Sequence, residues 1–226
     1  MRHINLLAAC GRLALGLALA PLAAVPATAA DFTGAYAGVL FGHESGIAEL
    51  GLYEVPVRGG FAGLELGATY QMQNGWVLGL ALDVERSYTT GKVMDGNYMG
   101  YDGNGELSAH LLGKVGYAMD SVLPYLTGGL AYARTNASMF CLAGATYGDC
   151  MYTGPFVASA EDERIGYSVG AGVEMALNDH ISFKAEYLYS DYGTEPITLV
   201  LPGPTPATSD VAISSSALRT GLMLRF

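Results

Sequence analysis

Ten ionisable side chains dominate any search of this sequence for chemistry. Glu65, Asp83, Glu85, Glu174 and Glu186 supply five carboxylates, and Lys114, Arg164, Lys184, Arg219 and Arg225 supply five cations. Each sits in a run where alternate residues are apolar, as Leu64 and Leu66 flank Glu65. Alternation sends the charges to one face of a strand and the apolar residues to the other. Charges removed from water are costly singly and tolerable in pairs, so five against five points to mutual neutralisation inside an enclosed space. Asp83, Glu85 and Arg225 stand toward the ends of their runs, where a place at a water-facing rim is expected. His43 and His110 have no second ligand at metal spacing, and a hydrogen-bonded polar role is expected for each. No metal or other cofactor is implied.

Two cysteines offer a second chemistry. Cys141 and Cys150 lie in one polar run, whereas Cys10 belongs to the N-terminal segment. Outside a reducing compartment, two such cysteines are expected to form a disulfide. Closing that short loop would contribute about 2–3 kcal/mol on the chain-entropy model. The spacing is not that of a redox CxxC motif.

The elements that must position these residues are strands. The closing segment, SSSALRTGLMLRF (214–226), carries Leu218, Leu222, Leu224 and Phe226 on one face and Arg219 and Arg225 on the other. Comparable alternation runs through 61–72, 76–85, 107–117, 164–177 and 181–190, with softer patterns at 31–42 and 124–133. The sum is eight strands. Tight turns are expected at Gln73-Asn74-Gly75, where Asn-Gly supplies positive φ, near Asp120, and at Asn178-Asp179-His180. The remaining runs, 43–58, 86–105, 134–162 and 193–211, show no period and are expected to be long loops. Short turns at one end and long loops at the other, with an apolar outward row, describe an all-β, eight-stranded, up-and-down antiparallel transmembrane barrel. Tyr70, Trp76 and Tyr117 near one end, and Tyr88, Tyr132, Tyr187 and Tyr189 near the other, suit interfacial aromatic belts. Eight strands enclose a space that side chains can fill, so a plugged lumen is expected in place of an open pore.

Composition agrees. Of 226 residues, 51% are hydrophobic and 14% charged. Residues 1–30 read as a cleaved signal peptide, with Arg2 and Arg12 about an alanine-leucine run that ends in small residues; the barrel then occupies 31–226. Removing those two arginines leaves nine bases against 21 acids, a charge of −12, which excludes a basic nucleic-acid footprint.

The chain resembles the small eight-stranded, OmpA-type outer-membrane barrels of alphaproteobacteria, the porin-family surface antigens. The matching pieces are TGAY (33–36), GKVGYA (113–118), LPYLTGGLA (123–131), VGAGVE (169–174), KAEYLYSDYG (184–193) and the terminal Arg225-Phe226. Lys114 stands where an arginine is usual and Leu112 where a polar residue is common, which implies a looser interior network. The resemblance implies a Gram-negative outer-membrane location among lipid and lipopolysaccharide, and recognition of Phe226 by the barrel-assembly machinery. His180 and Ser182 are similar to a pair in lipid A deacylases of like architecture, but they fall beside a turn on the periplasmic side, away from the outer leaflet. The function expected is therefore non-enzymatic: envelope integrity and presentation of surface loops. The alternatives are an adhesive or ligand-binding surface protein, for heme or a host molecule, and a narrow diffusion pore.

Overall fold

Eight antiparallel strands pair in chain order and close into a barrel. The computed structural model describes residues 30–50, 53–95, 99–141, 156–199 and 207–226. The strands are β1 (Gly34–Leu50), β2 (Tyr53–Gln71), β3 (Trp76–Asp95), β4 (Met99–Tyr117), β5 (Val122–Cys141), β6 (Phe156–Ala176), β7 (Ile181–Leu199) and β8 (Ala207–Arg225). Closure is made by β8 against β1, from Tyr36↔Arg225 to Leu50↔Val211, so the apolar last strand has no free edge.

The register fixes the tilt. From Phe41, paired residues lead through Ala62, Arg86 and Leu107 to Arg134 on β5. The opposite way round passes Thr220, Ala185 and Val173 and arrives at Pro124 on the same strand. The ends of the two paths lie ten residues apart along β5, and such a stagger requires strands steeply inclined to the barrel axis.

At the short-turn end, Met72 and Trp76 bracket the first turn, with Gly75 alone at positive φ (85°) and Asn74 in the ordinary region. The Asn-Gly pair thus ends a three-residue loop with one left-handed residue, not the two-residue form with both at positive φ. Asp120 takes φ 53° in the second turn. In the third, Asn178 Oδ1 accepts the His180 and Ile181 N–H groups at 2.9 and 2.8 Å.

The strands run much further at the other end than their alternation suggested. The period-free runs 43–58 and 86–105 are largely strand, as β1 and β2 stay paired as far as Leu50↔Tyr53 and β3 and β4 as far as Asp95↔Met99. Parts of 134–162 and 193–211 are strand as well. Alternation marks a wall with lipid on one side; where both faces meet water, the backbone can stay extended with no apolar row.

This extension is not a closed tube. Pairing between β2 and β3 stops at Arg58↔Thr90, and that between β6 and β7 stops at Tyr167↔Asp191. Hairpin pairing continues beyond, as does pairing of β8 with β1 and β4 with β5. Two four-stranded walls result, β7-β8-β1-β2 and β3-β4-β5-β6, parted along two seams.

Candidate functional site

All ten charges picked out by the alternation are buried in the lumen. Asp83, Glu85 and Arg225 are among them, at 0%, 3% and 7% exposure. The rim expectation for these three is therefore corrected. β3 continues ten residues past Glu85, which puts the two acids midway along their strand, and Arg225 is covered by the N-terminal segment.

Arg219 is the hub. Its Nε donates to Glu186 at 2.8 Å and its Nη2 to the same oxygen, while Nη1 reaches Glu85 at 2.7 Å and Asp83 at 3.2 Å. Asp83 also takes His110 Nδ1 at 2.6 Å; the two residues are direct partners on β3 and β4. Lys184 joins Glu65 and lies 3.7 Å from Glu186. Tyr36 donates to Glu65 at 3.0 Å and Tyr125 to Glu186 at 2.8 Å.

A second group occupies the short-turn end. Glu174 accepts from Lys114 at 3.2 Å, Ser182 at 2.7 Å and Arg225 at 2.7 Å. Lys114 lies over the rings of Tyr125 and Tyr36, at 4.4 and 5.4 Å, and so couples the two groups. Both rings fit because their wall neighbours are glycines. A Cβ on Gly67 would come 2.4 Å from the Tyr36 ring, and one on Gly172 would come 2.5 Å from the Tyr125 hydroxyl. Lys114, where an arginine was the family expectation, uses its point charge on Glu174 and its remaining face on two aromatic rings; Leu112 above it is buried and apolar.

The floor is sealed by Phe32, Val77, Leu123 and Tyr125. The Phe32 carbonyl accepts from Thr69 Oγ1 and, at 2.5 Å, from Arg225. Just outside, Asp31 takes the Thr33 N–H at 2.8 Å. Hydrogen bonds from Thr33 hold its carboxyl below the usual carboxylate range, with Arg225 adding to the effect.

Arg164 belongs to neither group. It pairs with Asp162 at 2.5 Å and donates to the carbonyls of Gly193 (3.2 Å) and Val211 (2.6 Å), so from β6 it fastens β7 and β8 at the base of a seam. The connected interior thus holds five acids, two lysines, two arginines and His110, a residue whose part in the network depends on a cross-strand register that spacing alone does not reveal.

Asp83, Glu85 and His110 each bring a ligand atom within 4.8 Å of the others. The positive charge there is already supplied by Arg219. Ser182 is buried against Glu174, whereas His180 is exposed in its turn, so the two do not face one site. His43 is exposed on β1. Cys141 ends β5, and the proposed disulfide with Cys150 lies outside the described residues.

The outward rows are apolar, with Leu64, Leu80, Leu126 and Ile165 each more than half exposed. The band ends in aromatics, including a Trp76–Tyr117 edge-to-face pair at 5.7 Å below and Tyr88 and Tyr187 above. Such a surface is stable in a bilayer and aggregation-prone in water.

A family model described as the outer membrane protein beta-barrel domain matches residues 15–226. The chain is 30% identical over 193 residues to the 31 kDa outer-membrane immunogenic protein of Brucella melitensis biotype 1, covering 77% of this chain and 76% of that one. It is 27% identical over 143 residues to the 22 kDa outer membrane protein of Rhizobium leguminosarum bv. viciae, covering 62% and 56%. Among solved structures, OprG from Pseudomonas aeruginosa matches with a TM-score of 0.51 at 15% identity, covering 87% of this chain and 98% of that one. The outer membrane protease OmpT from Escherichia coli matches at 0.50 and 11% identity, covering 85% and 97%. These last two likenesses concern the fold, which an enzyme can share with a protein that is none.

Proposed function

This chain belongs to the outer-membrane β-barrel family, and we propose that it works there as a closed-lumen, non-enzymatic barrel that contributes to envelope integrity and presents surface segments. The protein resides in the outer membrane of a Gram-negative bacterium; in this reading its short turns face the periplasm, as short turns do in such barrels.

One observation carries the reading: the lumen is occupied by a charge network rooted in six strands, β2, β3, β4, β6, β7 and β8. Cross-links of this kind favour a stiff cylinder, and they leave Glu65, Asp83, Glu85, Glu174 and Glu186 each engaged with a cation of the lumen and not aimed at a substrate. The strand extensions above the membrane suit display of the segments that join them. Surrounding lipid and lipopolysaccharide are the partners of the outward face. Phe226, three-quarters exposed at the periplasmic end with its N–H on the Ala35 carbonyl at 2.9 Å, is suited to serve as the signal read by the barrel-assembly machinery.

A deletion strain tests the role. The expected result is raised sensitivity to detergent and to EDTA, restored by the wild-type gene, with heme use and surface attachment unchanged. An intact envelope together with lost heme uptake or lost attachment would overturn the structural role in favour of a ligand-binding or adhesive one.

A further inference from the structure

We propose that Arg58 and Arg86, on the outward face of β2 and β3, bind the phosphorylated headgroup of an outer-leaflet glycolipid. The inference rests on the outer-membrane location and is independent of the integrity role.

The cations of this acidic chain are few and almost all committed. Of its 11 lysines and arginines, Arg2 and Arg12 fall in the segment read as a signal peptide, and Lys114, Arg164, Lys184, Arg219 and Arg225 are buried. Arg134 pairs with Glu161 and Glu163, and Lys92 lies higher on β3. Arg58 and Arg86 remain. Both are exposed, and neither has an acidic partner among the described side chains.

Their position is that of a headgroup. Arg86 lies ten residues above Trp76 on β3, and the outward residues between them are Leu78, Leu80, Leu82 and Val84. At about 3.3 Å per residue on a strand tilted by about 40°, that rise is roughly 25 Å, the height of the apolar band of such barrels. Arg86 therefore stands at the outer boundary, where its stem can lie along the acyl chains and its guanidinium reach the phosphates, and Arg58 stands just above.

The wall between them is open. The register pairs Arg86 with Ala62, Tyr88 with Gly60 and Arg58 with Thr90, so only a methyl group and a glycine project from β2 between the two arginines. A Cβ at Gly60 would meet nothing closer than 3.6 Å. Tyr88, 66% exposed, stands beside this trough and offers a flat face and a hydroxyl to a sugar ring. The arginines are four residues apart along the strands, about 13 Å, and each side chain can turn inward. That span suits two phosphates on one sugar headgroup, each held by a guanidinium fork.

The rest of the perimeter argues for the same place. Across the barrel at about this level, β6 presents Glu161 and Glu163, with Asp191 on β7 taking the hydroxyls of Tyr167 and Tyr189 at 3.5 and 3.4 Å. A phosphate is repelled there and attracted at β2–β3, so among the described residues the anionic-lipid face is the one at β2–β3.

The test uses the full protein purified from outer membranes, stripped of lipid in detergent and examined by native mass spectrometry. The probes are bis-phosphorylated lipid A, the same lipid with both phosphates removed, and inorganic phosphate as competitor. The expected result is retention of one bis-phosphorylated lipid, at least tenfold weaker retention of the dephosphorylated lipid, and a similar loss in the R58Q/R86Q double variant. The Glu161→Gln/Glu163→Gln control should retain the lipid as wild type does. Both arginines are exposed, so heat-modifiable gel mobility should show the double variant folded; should it fail to fold, the single variants R58Q and R86Q take its place, each losing part of the retention. Equal retention of both lipids, unchanged retention in the arginine variants, or full displacement by millimolar inorganic phosphate would each overturn the lipid site.

Discussion

Arg219 illustrates why the interior is neutral as a set and fragile in its parts. It faces Glu186, Asp83 and Glu85 at once with no exposure to water. Glu65 and Asp83 are direct cross-strand partners, an arrangement that repels unless cations intervene; Lys184 takes the first and Arg219 the second. Arg219→Met would preserve most of the side-chain volume and leave buried carboxylates without their cation. The expected cost is about 3–5 kcal/mol, measurable as an earlier urea-unfolding midpoint of the lipid-reconstituted barrel. Pairing that change with Glu186→Gln should recover part of the loss, because one uncompensated charge goes with it.

At the scale of elements, the same alternation that places charges inside places lipid contacts outside. Val169 on β6 is half exposed at mid-band, between the buried Ser168 and the partly buried Gly170. Val169→Arg should cost about 2–4 kcal/mol and lower the amount of folded barrel recovered from outer membranes; normal recovery would contradict the facing of β6. Arg164 makes a different prediction. Arg164→Ala removes the donors that hold the Gly193 and Val211 carbonyls, so amide exchange should accelerate in the upper part of β7 while the lower strands keep their protection.

These two elements also show what could be read from sequence. The lower halves of the strands were legible because lipid and lumen impose opposite polarity on alternate residues, and Ile165, Tyr167 and Val169 carry that contrast plainly. The upper halves, such as 43–50 and 87–95, were not, since no apolar face is required of a strand with water on both sides. The ten charges were legible as an inward set, yet their partners were not. His110 meets Asp83, and Arg164 leaves the network for Asp162, because of inter-strand register and of a seam that appear in no single strand's pattern.

For the molecule as a whole, the outcome is a cylinder with three zones. A hydrophobic floor closes it at Phe32 and Leu123, ion pairs and tyrosines fill its middle, and two parted walls stand above the membrane. The central claim is that the middle zone is a plug. The direct measurement is single-channel conductance of the protein purified from outer membranes and inserted into planar bilayers at neutral pH. The account predicts a silent baseline across the voltage range in which the bilayer is stable, together with conducting events in the Arg219→Met variant as the network loosens. Steady open-channel currents from the wild-type protein would mean that the interior charges line water, and the closed-lumen account would be wrong.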